Sequence, residues 1–174
     1  SAIDAILEEA KTLGVESLFI VSTCNRAQFF AHTHNAFILK ELYVKHSKAS
    51  EKEFEKYHFQ LSGDDAVLHL FELCCGLDSL MLGDLQIVSQ IKDAVKYASQ
   101  KEMLDGYTHR LMQFVMQAYK DVRTDTSINK GPASVAHGAV LFIKQQYKSL
   151  KDKKIVLFGT GEIGKATAKN LLKH

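Results

Sequence analysis

Cysteine and proline are scarce in this chain, with three cysteines (Cys24, Cys74 and Cys75) and one proline (Pro132) among 174 residues. Three is an odd number, and neither disulfide-framework nor zinc-ligand spacing is present. Reduced thiols in a cytoplasmic protein fit this usage. An excess of one charge is also missing. The formal net charge of +2 neither demands nor excludes a nucleic-acid partner, so any phosphate contact must come from a local patch. No apolar run approaches the length needed to span a bilayer, and no internal repeat or low-complexity segment occurs. Ser1-Ala2-Ile3 lacks a basic-then-apolar signal and starts inside an amphipathic pattern, so the beginning of a longer protein is expected to be missing. What remains, 46% hydrophobic and 24% charged residues, is ordinary soluble globular composition for one domain or one and a fraction.

Periodicity sets out the elements. Ile3, Ile6, Leu7, Ala10 and Leu13 recur at helical spacing, with Gly14 placed to end that helix. Leu18-Phe19-Ile20-Val21 reads as a buried strand, and Ala27 to Ala31 as a second extended run. A helix from Ala36 to about Lys48 completes a small α/β unit. From Asp64, a plausible N-cap, the pattern turns helical, with Val67, Leu68, Phe71 and Cys75 three or four apart. Gly76 and Gly83 bracket a short element. Asp84 is placed to cap a helix through Ile87, Ile91, Ala94, Val95 and Ala98, and another helix covers Tyr107 to Val122. Pro132 suits the first turn of a helix through Val135, Ala139, Phe142 and Ile143, which is expected to link two domains.

The last segment carries a fingerprint. A strand at Ile155-Val156-Leu157-Phe158 is expected to lead into Gly159-Thr160-Gly161-Glu162-Ile163-Gly164 and then a helix with Ala166, Ala168, Leu171 and Leu172. In that context the glycines allow a tight turn, close approach of a pyrophosphate and close helix packing, with helix N-terminal amides for the phosphates. The second strand, which would discriminate NADPH from NADH, lies beyond His174. Reduction is therefore not expected to be complete in this stretch alone.

Ser22-Thr23-Cys24-Asn25-Arg26 places a thiol and a guanidinium where the first buried strand ends and the chain must turn. Cys24 is thus the candidate nucleophile. Arg26 either lowers the thiol pKa or binds a substrate carboxylate in a bidentate fork. A nucleophilic cysteine with a dinucleotide turn suggests capture of an acyl group as a thioester, then hydride transfer to give an aldehyde. Rival readings are another thioester-forming aldehyde dehydrogenase or reductase, and a non-catalytic nucleotide- or tRNA-binding module. Cys74 and Cys75, among apolar neighbours, are assigned to packing. His32, His34, His46 and His58 show no ligand pattern, and no metal is expected.

These residues, with Gly76-Leu77-Asp78-Ser79-Leu80, Leu82-Gly83-Asp84-Leu85-Gln86-Ile87-Val88-Ser89-Gln90, Val122-Arg123-Thr124-Asp125-Thr126-Ser127-Ile128 and the glycine motif, resemble the amino-terminal region of glutamyl-tRNA reductase. The resemblance implies NADPH-dependent reduction of glutamyl-tRNA to glutamate-1-semialdehyde, the first step of the five-carbon route to tetrapyrroles, with Cys24 as nucleophile and His69 assisting. Thr23, Asn25, Arg26, Ser79, Asp84, Gln86 and Gln90 would line the glutamyl pocket, and residues 159–164 would bind the cofactor. Two departures stand out: Asp84-Leu85 replaces a common Glu-Pro, and Ala27-Gln28 a common Thr-Glu. The implied fold is α/β. An α+β catalytic domain over residues 1–130, divided into an α/β half (residues 1–62) and a helical half (residues 63–130), precedes a linker helix and the start of a Rossmann-type domain (residues 131–174). A homodimer formed through a further C-terminal domain, and glutamate-1-semialdehyde aminomutase as a partner, follow from the same resemblance.

Overall fold

The computed structural model describes residues 1–23, 26–78, 86–128, 135–147, 149–150 and 152–173. Helix α1 (Ala2–Thr12) buries Ile6, Leu7 and Ala10, the i, i+3, i+4 stripe that the sequence displays. Gly14, at φ 77°, supplies the left-handed residue that turns the chain towards the sheet. Strands β1 (Ser17–Ser22) and β2 (Ala27–His32) pair antiparallel, with Ser17 opposite His32 and Ser22 opposite Ala27. β1 is covered by helices on its apolar side, and its Leu18, Phe19 and Val21 are at most 1% exposed. Each such side chain contributes about 1.5–3 kcal/mol of burial. The Leu18 amide also donates to the Met103 carbonyl at 2.9 Å, which ties the outer edge of β1 to the helical layer.

Helices α2 (Phe37–His46) and α3 (Glu51–Tyr57) follow. The pattern of apolar residues does not announce α3, but Ser50 and Glu53 form a reciprocal capping box at its start, a signal the sequence carries. Helix α4 (Asp64–Cys74) begins at Gly63, not at an Asp64 cap: Asp64 is the first helical residue and Gly63 holds φ 59°. The Asp64 carboxylate lies in the first turn, where it complements the helix dipole. Helices α5 (Gln86–Gln100) and α6 (Gly106–Asp125) complete the layer, with Asp105 capping α6 by accepting from the Thr108 amide at 2.7 Å. One apolar core joins α1, β1, α2, α4, α5 and α6, running through Leu7, Phe19, Leu42, Leu70, Ile91 and Val115.

Helices α7 (Val135–Gln146) and α8 (Glu162–Leu171) pack on each other, burying Ala136, Val140 and Thr167. The strand expected at Ile155–Phe158 is not formed. These residues are 42–93% exposed, and the sheet among the described residues has two strands, β1 and β2. An extended run with no neighbouring strand has nowhere to place its backbone hydrogen bonds except water. Pro132 and Gly83 lie outside the described residues.

Candidate active site

The connection between β1 and β2 is tightly pinned at its ends. The Thr23 amide donates to the Arg26 carbonyl at 2.8 Å, and the Arg26 amide donates to Thr23 Oγ1 at 3.1 Å. Thr23 Oγ1 donates back to the Arg26 carbonyl at 3.2 Å. The hydroxyl at position 23 thus serves the backbone before it serves any ligand. Cys24 and Asn25, between these anchors, lie outside the described residues, as do Ser79 and Asp84.

Alternation along β2 puts positions 26, 28 and 30 on one face, and that face meets α4. The Arg26 guanidinium pairs with the Asp78 carboxylate through Nη1 and donates from Nη2 to the Asp78 carbonyl at 2.9 Å. This fork holds Arg26 in place and offsets its charge, while three of its five N–H donors remain outside the pair. The buried Gln28 amide meets His69 Nε2 at 2.7 Å. A hydrogen bond at that nitrogen selects one imidazole tautomer and orients the ring. Phe30 stacks on the same ring at 6.2 Å, and Phe59 meets it edge-on at 5.6 Å. Gln28 Oε1 is buried without a partner among the described residues.

The structure therefore brings Thr23, Arg26 and His69 to one hairpin-and-helix face. It adds Asp78 and Gln28, to which sequence reasoning assigned no role in the site. The i, i+2 relation of Arg26 and Gln28 was the available signal. Gln86 and Gln90 sit exposed one turn apart at the start of α5, a spacing that puts both amides on one side. Cys74 and Cys75 are buried and unpaired. Burial pushes the Cys74 thiol pKa up to about 12, which suits packing and not nucleophilic chemistry.

In the glycine motif, Gly159 holds φ 112°, and Gly161 caps α8 without a side-chain hydrogen bond. A Cβ on Gly164 would lie 2.2 Å from the Gly159 carbonyl oxygen, so the helix approaches the turn as only glycine permits. Thr160 and Ile163 are exposed, and Glu162 pairs with Lys165 at 3.3 Å. This backbone fits a dinucleotide phosphate cradle. A separate groove of about 490 Å³ between α5 and α6, lined by Lys92, Lys96, His109 and Met112, contains none of the expected site residues.

No metal was expected from the sequence, which shows no ligand spacing among its histidines. Glu16, His32 and Asp105, remote in sequence, present ligand atoms within 4.8 Å of one another, because strand pairing and the α6 cap bring them together.

Fold and site define an α+β domain whose polar face is assembled by one β-hairpin and one helix, followed by a glycine-turned helix. Residues 1–126 match the family model described as glutamyl-tRNA(Glu) reductase, N-terminal domain. The chain is 39% identical over 169 residues to a glutamyl-tRNA reductase of Flavobacterium psychrophilum, covering 97% of this chain and 41% of that protein. It is 34% identical over 161 residues to that of Aquifex aeolicus, covering 90% and 39%. The solved glutamyl-tRNA reductase of Methanopyrus kandleri superimposes with a TM-score of 0.68 at 27% identity, over 99% of this chain and 41% of that one. The chain belongs to the glutamyl-tRNA reductase family, and it spans about two fifths of the length of these relatives.

Proposed function

We propose that this chain carries the substrate-capturing portion of an NADPH-dependent reductase that converts glutamyl-tRNA to glutamate-1-semialdehyde. The observation that carries the reading is the convergence of Arg26, just before β2, and Gln28, within it, on Asp78 and His69, at and beyond α4, directly beside the cysteine-bearing connection. Cys24, as thiolate, attacks the activated glutamyl carbonyl; a C–S bond forms, the ester C–O bond breaks, and the tRNA ribose hydroxyl leaves with a proton. His69, its tautomer set by Gln28, is placed to supply that proton or to orient the ester. Arg26, held by Asp78, directs its remaining donors at the substrate carboxylate. Thr23 holds the connection closed, and Asn25, Ser79, Asp84, Gln86 and Gln90 complete the pocket.

In this reading the chain divides near residue 130 into a catalytic domain and the start of a Rossmann-type domain, which α7 joins. The backbone of residues 159–164 would hold NADPH, which would supply hydride chemistry for reducing the thioester. Aminomutase handover, dimerisation through a further domain and a cytoplasmic setting belong to the same proposal. None of the described helices is long and apolar enough to cross a membrane.

Deacylation of glutamyl-tRNA tests capture without requiring hydride transfer. The unsubstituted chain is expected to release glutamate faster than Cys24→Ser, and acid quench is expected to trap a covalent glutamyl adduct on Cys24. Equal rates and no adduct would remove Cys24 from the chemistry.

A further inference from the structure

A second constellation lies at the other end of the sheet from the Thr23–Arg26 connection. Glu16 immediately precedes β1, and its amide donates to the carbonyl of His32, the last residue of β2, at 3.1 Å. Strand pairing therefore sets these two residues side by side. His32 Nδ1 lies 3.1 Å from Glu16 Oε2 and 2.5 Å from Asp105 Oδ2. His34, two residues on, brings Nε2 to 3.1 Å from Glu16 Oε1. Asp105 does not drift in this cluster. Its Oδ1 accepts from the Thr108 amide as the α6 cap, which aims Oδ2 at His32, and the Tyr107 ring lies 5.2 Å from the His32 ring.

We propose that Glu16, His32 and Asp105, whose ligand atoms lie within 4.8 Å of one another, form a binding site for one divalent first-row transition ion of the zinc type. One imidazole nitrogen and two carboxylates, with water completing the shell, are a donor set such an ion takes. Ligands about 2.0–2.2 Å from a tetrahedral ion stand roughly 3.3–3.5 Å from each other; Glu16 Oε2 and His32 Nδ1 are 3.1 Å apart, and the 2.5 Å His32–Asp105 hydrogen bond would lengthen as the ion replaces its proton. Charge points the same way. Once the ion displaces the proton shared by His32 and Asp105, the two carboxylates leave a formal charge of −2, which one divalent ion balances. The cap bond to Asp105 plays the orienting role that outer partners play for metal ligands. The ion would clip the start of β1, the end of β2 and the head of α6, three segments separated widely in sequence. It owes nothing to the reductase reading, and its test is separate.

The test is titration of the 174-residue chain with Zn²⁺ by calorimetry and with Co²⁺ by visible absorption. One ion per chain is expected, with d–d bands of a four- or five-coordinate nitrogen/oxygen site, no thiolate charge-transfer band, and a melting temperature raised by Zn²⁺. His32→Ala is expected to weaken binding at least tenfold. Asp105→Asn retains an equally good helix cap and separates ligand loss from misfolding; it too should weaken binding tenfold and abolish the thermal shift. His58→Ala should bind as the unsubstituted chain does. Absence of stoichiometric binding, binding unchanged in His32→Ala and Asp105→Asn, or a thiolate band locating the ion on a cysteine would each overturn the proposal.

Discussion

Leu18-Phe19-Ile20-Val21 and Ile155-Val156-Leu157-Phe158 contain the same four residue types, one of each. The first run is at most 7% exposed; the second is 42–93% exposed. Composition and strand propensity cannot account for the difference. The first run has β2 on one edge, the Met103 carbonyl on the other, and α1 and α5 packed against it. The second has α8 nearby, with Leu157 Cδ2 3.9 Å from where a Gly164 Cβ would be, but no partner strand among the described residues. β-propensity reports fitness for a pleated, half-buried surface, and the surface has to exist.

Hydrogen exchange sharpens this contrast most. Amides of residues 18–21 should be protected about a thousandfold or more beyond those of 155–158, because core strands open only near the global free energy while unpaired backbone exchanges freely. Comparable protection in the two runs would break the comparison. Truncation should follow the same order. Phe19→Ala is expected to cost about 3–5 kcal/mol, read by chemical denaturation, whereas Phe158→Ala, at 93% exposure, should stay within about 0.5 kcal/mol.

Gly164→Ala probes what order the second region does have. Its Cβ would meet backbone, not a side chain that can swing away, so a local cost of about 1–3 kcal/mol is expected. That cost should appear as faster exchange in α8 with β1 unaffected. A variant that leaves α8 protection unchanged would mean the close approach of helix and turn is not needed.

Acid should act on the first region through α1. Hydrogen bonds from Tyr97 and then Lys101 hold the Asp4 carboxyl well below its ordinary range, and those from Lys45 and then His46 lower that of Glu9. A depressed folded-state value means the contribution is present above the ordinary carboxylate range and is lost as pH falls through the folded-state values. Thermal stability should therefore decline from about pH 4 downward, and Asp4→Asn with Glu9→Gln should flatten that limb. These groups are half-buried but still open enough to solvent to be screened, so this effect is the smallest of the set. An unchanged acid limb in the double variant would assign it to other carboxylates.

Much of the fold was legible because it is written in local patterns. The α1 stripe, the apolar run of β1, the helical spacing of α4, α5 and α6, and Gly14 as a terminator all rest on contacts between near neighbours in sequence. Even α3, which periodicity did not reveal, was marked by Ser50 and Glu53. The site was less fully legible. His69 and Arg26 stood out by chemical type and by family resemblance, but the pairing of Arg26 with Asp78, 52 positions away, required knowing that β2 faces α4. The separation of Gly63 from Asp64 as cap depended on a backbone angle that side-chain chemistry does not reveal.

The sequence by itself determined where most helices form, which cysteines pack, and which glycine has no room for a side chain, since each depends on a few bonds or a single periodicity. Tertiary structure alone decided which of two equal apolar runs becomes a strand, which carboxylate holds Arg26, and that Glu16, His32 and Asp105 meet. Those outcomes are set by neighbours remote along the chain, because a hydrogen-bond ladder, an ion pair or a ligand shell exists only once both sides are in place.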